Sequence, residues 1–361
     1  MLKIVIDARM INNSGIGTYM QNMVPNLIKN YELILLGRGV ELKKFLWSKQ
    51  TQIVDFNIPI YSIGEQLMAP FIIPTCDIFL SPHYNIPILP IRAKKRLVII
   101  HDVYHLAFNK TLSLTQKLYS KLMIYSAVHL SDHIITSSQF SKSEILKYEK
   151  VTESKISVIH FGFDFEEYSN LASDFERVKN KYNISGKYFL FVSNIKPHKN
   201  LSNLLQALKN VLKKIEVKLV VVGEYKKLIT SDKKSFELIN KNKLLKDNTI
   251  FTGFVDKEEL ASLYKSALAL IFPSFYEGFG IPPLEAMACG CPVISSNAAS
   301  LPEVCNDAAI YINPNNITEI EEKMIRLISD DHLKNQLIKK GKENLERFSN
   351  EKFSNNLNKN F

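Results

Sequence analysis

At 361 residues the chain is long for one hydrophobic core and comfortable for two, since domains usually run to about 100–200 residues. With 46 % hydrophobic and 23 % charged residues it is too apolar to be disordered, and no apolar run approaches the roughly 20 residues of a membrane-spanning helix. The formal net charge of +10 suits anionic partners such as phosphates or an acidic membrane, while the lack of a zinc finger, an RNP-like aromatic signature or a long basic run speaks against nucleic acid.

The opening MLKIVIDAR runs straight into a strand pattern without the features of a leader peptide, so a cytoplasmic protein is expected. Cys76, Cys289, Cys291 and Cys305 form no CxxC pair, and they read as reduced thiols in packing positions. Short β-branched runs, KIVID, ELILL, DIFL, RLVII and HIITSS, alternate with helical spacing at 17–30 and 115–130, the rhythm of a parallel sheet with crossover helices. Gly15, Ile16, Gly17 and Thr18 follow the first strand and open a helix, which suits a backbone turn close to a phosphate or an acceptor. A dinucleotide site is the rival there. It fails because Met20 stands at the third glycine position of G-x-G-x-x-G and strand two ends in GRG rather than in an acid.

His101 and Asp102 end the buried-looking strand RLVIIHD, at the sheet edge where ligands gather. Ser137, Ser138 and Ser141 read first as helix caps or polar loop residues. Arg92, Lys94, Lys95 and Arg96, with Lys117 and Lys121 on a helix that also carries Leu114, Leu118, Leu122 and Tyr125, could meet an anionic membrane. A solvated basic edge beside a core-facing stripe is the alternative.

After ISVIHFG (156–162) the polar stretch 163–186 interrupts the rhythm, and the domain junction is placed there. The expected division is 1–165 and 166–335, with 166–186 as linker and 336–361 as a C-terminal helix packing back across the junction. The second series reads KYFLFVSN, VKLVVVG, NTIFTG, ALALIFP, PVISS and AIYINP. Two open α/β domains place the expected active site in the cleft between them, beyond the carboxyl ends of the strands. Lys199 follows the first of these strands and precedes a helix, so its ammonium can neutralise a departing diphosphate.

PSFYEGFGIPPLEAMACGCPVISS, residues 273–296, carries the most chemistry. Pro282 and Pro283 suit the first turn of a helix, leaving Glu277 on a loop and putting Glu285 in the first turn. Gly278 and Gly280 allow close approach to a ligand, and the N–H groups around Pro283 and Leu284 are expected to form an anion site for a diphosphate. Glu285 then accepts two ribose hydroxyls, and Glu277 reaches the sugar. Taken alone, Glu285 is only a favourable charge near a helix start and Glu277 a solvated acid. Acid, two glycines, paired prolines and second acid together point away from that.

EGFGIPPLE, Glu277 to Glu285, resembles the two-glutamate signature of glycosyltransferase family 4, and the two α/β halves resemble the GT-B fold, two Rossmann-like open parallel-sheet domains. GIGTYMQNMV, His101-Asp102, TSSQFSKSEI, PHKNL and the block from FTGFVDKEEL to Pro302-Glu303-Val304 extend the resemblance, with polysaccharide mannosyltransferases of O-antigen and capsule assembly most similar. The resemblance implies a retaining, metal-independent hexosyltransferase that moves mannose from GDP-mannose to a lipid-linked glycan at the inner membrane face. It implies an acceptor-binding first domain and a donor-binding second one.

By the same resemblance Gly15 and Gly17 belong to a glycine-rich donor loop, Gly278, Phe279, Gly280, Ile281, Pro283 and Leu284 line the donor with Glu285 and Lys199, and Glu277, His101 and Lys199 are catalytic. Asp102 and Ser138 fall on the acceptor side. Where the family has a glycine and an arginine upstream of the lysine, this chain has Ser193 and Asn194, and His198 replaces a common arginine, which leaves the phosphate clamp incomplete. Donors such as dTDP-rhamnose, UDP-glucose or UDP-GlcNAc, and epimerase or phosphorylase chemistry on the same fold, stay open.

Overall fold

The computed structural model describes residues 1–108, 112–223 and 232–361. The chain divides into two compact units, Met1–Gly162 with Asn350–Phe361, and Phe163–Ser349.

The first unit is built on seven parallel strands, β1 (Lys3–Asp7), β2 (Glu32–Gly37), β3 (Gln52–Asp55), β4 (Cys76–Ser81), β5 (Ala93–Ile99), β6 (His133–Thr136) and β7 (Ile156–Val158), in the order β3-β2-β1-β4-β5-β6-β7. Central strands are apolar on both faces because helices cover both sides of a parallel sheet, and Ile4, Val5, Ile6 and Val98 are fully buried. The edge strand β3 lacks that signature: Gln52 and Asp55 are exposed, so no apolar run marks it in the sequence. Tyr19 on the helix Ser14–Ile28 lies edge-on to Phe353 of the C-terminal helix Asn350–Asn358, with ring centroids 5.7 Å apart, which ties the chain end to this unit.

The second unit has six parallel strands, β8 (Tyr188–Val192), β9 (Lys218–Val222), β10 (Thr249–Gly253), β11 (Leu270–Phe272), β12 (Val293–Ser296) and β13 (Ile310–Ile312), in the order β10-β9-β8-β11-β12-β13. Its core joins Phe189, Phe191 and Leu219 of the sheet to Leu204 and Leu208 of the helix Leu201–Val211.

Both sheets run outward in two directions from a central pair, β1 with β4 and β8 with β11, the switch points at which open α/β sheets take ligands. The stretch 166–186, expected as linker, is instead part of the second unit. Its helices Phe165–Asn170 and Phe175–Tyr182 are capped by Asp164 and Asp174, and Lys181 and Tyr182 bond Glu259 at 2.6 and 2.8 Å. Nor is 336–361 one helix: Asp331–Leu345 stays with the second unit, and only the segment from Asn350 joins the first.

Candidate active site

In the second unit the loops that leave β8 and β11 lie at its switch point. Asn200, fully buried and left-handed at φ +62°, donates through Nδ2 to the carbonyls of Pro273 (3.0 Å) and Pro314 (2.7 Å), while the Phe275 N–H donates to the His198 carbonyl at 2.8 Å. These bonds seat one loop on the other. They set the Lys199 ammonium 2.7 and 2.8 Å from the two carboxylate oxygens of Glu277. Two residues assigned separate tasks from sequence thus form one ion pair, largely shielded from water at 17 % and 11 % side-chain exposure.

The Ser300 hydroxyl pins the Glu277 loop by donating to the carbonyls of Glu277 (3.0 Å) and Phe279 (2.8 Å). Phe279 lies edge-on to Phe348 at 5.6 Å, and Gly278 and Leu284 are buried. Gly280 caps the helix Ile281–Ala288 at φ +107°, where a Cβ would also lie 2.8 Å from Leu301.

Two expectations are corrected here. The helix begins at Ile281, so Glu285 falls in its second turn rather than its first. Pro282 and Pro283 have no N–H, and helix geometry directs the Leu284 N–H to the Gly280 carbonyl, so the donors at this start belong to Gly280 and Ile281. Glu285 is buried and accepts from the hydroxyls of Tyr168 (2.8 Å) and Tyr264 (2.9 Å). Burial raises its pKa above the ordinary glutamate value, while the two tyrosine bonds and the nearby Lys257 oppose that rise.

In the first unit the His101 ring nitrogen Nε2 is 3.0 Å from the Pro82 carbonyl, and the ring meets Tyr19 edge-on at 5.0 Å. Burial pushes its pKa down against the opposing pull of Asp102. Asp102 accepts from the Tyr104 N–H at 2.9 Å. Ser138, fully buried, caps the helix Gln139–Tyr148 by accepting from the Ser141 N–H at 3.0 Å, the capping use read first from sequence. Gly17 packs against the Ile11 carbonyl, 2.4 Å from where its Cβ would lie, whereas Gly15 faces open space.

Residues 173–344 match the family described as Glycosyl transferases group 1. The O-antigen chain mannosyltransferase RfbU of Salmonella typhimurium is 33 % identical over 291 residues, 81 % of this chain and 71 % of that protein. The chain belongs to the group 1 glycosyltransferases. The O-antigen chain mannosyltransferase B of Escherichia coli is 27 % identical over 264 residues, 72 % of this glycosyltransferase and 68 % of that protein. In fold, the chain is similar to HepE of Anabaena, solved in complex with UDP-glucose, with a TM-score of 0.78 at 17 % identity over 100 % of this chain and 99 % of that one. The fold is GT-B.

Sequence reasoning missed a polar cluster at the β1/β4 switch point of this glycosyltransferase. Arg9 donates to Asp7 at 2.8 and 2.5 Å, bonds Glu65, and stacks 4.0 Å over the Phe56 ring. Asn85 donates to both oxygens of Glu65 at 2.9 and 2.8 Å. A small cavity of about 10 Å³ lies here, lined by Asp7, Arg9, Ser81, His83 and Asn85 among others. Desolvation, reinforced by His101 and His105, pushes the His83 imidazole down to about 3. The signal available was Asp-Ala-Arg at the exit of the first strand, an ion pair poised where such sheets take ligands.

Proposed function

We propose that this glycosyltransferase moves mannose from GDP-mannose onto a lipid-linked glycan acceptor, in the assembly of a surface polysaccharide of the O-antigen or capsule kind. The 33 % identity to an O-antigen chain mannosyltransferase supports the sugar and the setting. The Lys199–Glu277 pair at the β8/β11 switch point, with Glu285 on the helix that follows, is the observation that carries the chemistry.

On this reading the unit Phe163–Ser349 holds the donor and the unit containing Met1–Gly162 holds the acceptor. Glu285 accepts the ribose hydroxyls, which its lone pairs beyond the two tyrosine bonds allow. Lys199 and the N–H groups of Gly280 and Ile281 meet the diphosphate, and Glu277 takes the sugar hydroxyls. An ammonium has three donors, so Lys199 keeps one for a phosphate oxygen while holding Glu277.

The bond from the anomeric carbon to the diphosphate breaks as the acceptor oxygen bonds that carbon on the same face, and the acceptor proton passes to the departing phosphate. The configuration is therefore retained, as in glycosyltransferase family 4. No Asp-x-Asp motif is present, and Lys199 with the backbone N–H groups supplies the positive charge in place of a metal ion. His101 and Asp102 border the acceptor, and the basic edge from Arg92 to Arg96 favours peripheral work at the cytoplasmic face of an anionic membrane.

The fold's likeness to HepE, whose structure holds UDP-glucose, makes UDP-glucose the second donor to consider. Thermal unfolding in the presence of GDP-mannose, UDP-glucose, UDP-GlcNAc and dTDP-rhamnose discriminates these, because a ligand that binds only the folded state raises the melting temperature. GDP-mannose is expected to give the largest rise. A larger rise with UDP-glucose would reassign the donor, and no rise with any of the four would remove the reading.

A further inference from the structure

Two neighbouring helices of the first unit turn apolar side chains to solvent. In the helix Ile63–Ile72 the polar residues point inward. Glu65, 2 % exposed, takes bonds from Arg9, Asn85 and the Tyr61 N–H, and Gln66 exchanges bonds with the main chain of Ile86 (3.2 Å) and Ile88 (2.9 Å). That clamp fixes the rotation of the helix. Ile63, Leu67 and Phe71, one turn apart, are consequently 80 %, 56 % and 79 % exposed.

The helix Leu114–Leu130 is apolar on two sides and buries only one. Met123, Ile124, Ala127 and Val128 fill the core, so Leu114, Leu118, Leu122 and Tyr125 are left outside, at 84 %, 73 %, 52 % and 54 % exposure. The sequence left a core-facing stripe as an alternative for these four. Their exposure removes it.

The helices belong together. The Tyr119 hydroxyl donates at 2.5 Å to Asn85, the residue that also bonds Glu65, and the Tyr61 and Tyr119 rings lie 6.0 Å apart. Of the eighteen large apolar side chains exposed among the described residues, eleven fall within 61–89 and 114–130, so the exposed apolar surface is concentrated on these two stretches. The exposed charge beside it is basic: Leu114–Leu130 bears Lys117 and Lys121 and no acid, while of the two acids in 61–89 Glu65 is buried against Arg9 and Asn85 and Asp77 is paired with Lys94 at 2.7 Å.

We infer that this patch docks the protein on an anionic lipid bilayer, its leucines and Phe71 entering the headgroup boundary while Lys117 and Lys121 meet lipid phosphates. Apolar insertion, rather than the basic edge alone, holds the protein there. The inference deepens the proposed membrane contact and rests on the lipid-linked acceptor for its purpose.

Sedimentation of the whole protein with phosphatidylglycerol-containing vesicles, and with phosphatidylcholine alone, tests it without donor or acceptor. The wild type is expected to sediment with the anionic vesicles and to remain partly bound in high salt. The combined variant Leu67→Ser, Phe71→Ser, Leu118→Ser is expected to lose about tenfold in partitioning, and Lys117→Glu with Lys121→Glu to lose the preference for phosphatidylglycerol.

Equal partitioning of the wild type and the serine variant overturns the inference, as does a wild type that stays in the supernatant. A wild-type dimer in sedimentation velocity that the serine variant abolishes overturns it too, by assigning the face to self-association. Nucleotide-sugar stabilisation is measured on the same variants and is expected to be unchanged, since Leu67, Phe71, Leu118 and Lys121 are exposed, Lys117 is half-buried, and all five belong to the first unit while the proposed donor seat belongs to the second. Were no nucleotide sugar to stabilise even the wild type while vesicle binding held, the proposed reaction would fail and the docking face would stand.

Discussion

Lys199 reached the candidate site through two independent signals, its place after a strand and a motif resemblance, yet neither reveals that Glu277 is its partner. The pairing depends on Asn200 adopting a left-handed conformation and bonding Pro273 and Pro314, contacts that link positions 73 and 114 residues apart in the chain. Such long-range bonds have no local pattern. The acids themselves were legible because glycines and prolines surround them, whereas Tyr168 and Tyr264, which hold Glu285, lie in stretches that read as linker and ordinary helix. The pair gives a prediction at this scale. Lys199→Met removes the cation beside the leaving phosphate, so kcat is expected to fall about 10²–10³-fold, the typical loss for one preorganised charge stabiliser. Steady-state kinetics checks it, and an unchanged kcat would return Lys199 to a structural role toward Glu277.

Elements were easiest to read where burial is two-sided. Strands such as KIVID and KLVVV declare themselves because a parallel sheet covered on both faces leaves no polar alternation. The edge strand Gln52–Asp55 could not, and Glu285 falls beyond the first turn because the helix Ile281–Ala288 starts one residue before the double proline that its first turn accommodates. The helix Ser14–Ile28 supplies the test at this level, since sequence gave Gly15 and Gly17 one shared role while the structure separates them. Gly17→Ala drives a Cβ into the Ile11 carbonyl and is expected to destabilise the first unit by about 1–3 kcal/mol. Gly15→Ala meets nothing within 4 Å and is expected to leave stability level or raise it by up to about 1 kcal/mol, through better helix propensity. Thermal melts of the two variants should therefore move apart, and equal destabilisation would contradict the packing described.

Across the molecule, two α/β sheets could be read from rhythm alone, and the family from one nine-residue signature supported by scattered motifs. The Asp7–Arg9–Glu65 cluster and the solvent-facing apolar helices were out of reach, because which side of a helix faces inward is settled by tertiary contacts. Those contacts also shape the response to acid. His83 has an unfolded value of about 6.5 and is held down to about 3 in the fold, so between these values the unfolded chain binds a proton that the folded chain refuses. Stability of the first unit is accordingly complete above about 6.5 and falls as pH drops toward 3. His101, also lowered, adds in the same direction. Melting temperatures from pH 7 to 5 should fall more steeply for the wild type than for His83→Gln, and parallel slopes would refute this.

The proposed donor seat is tested most directly by calorimetric titration of wild type and Glu285→Ala with the nucleotide sugar that most raises the wild-type melting temperature. A loss of at least about tenfold in affinity, roughly 1.4 kcal/mol, is expected from removing the acceptor of the ribose hydroxyls. Undiminished affinity in Glu285→Ala would contradict a donor seated against the helix Ile281–Ala288.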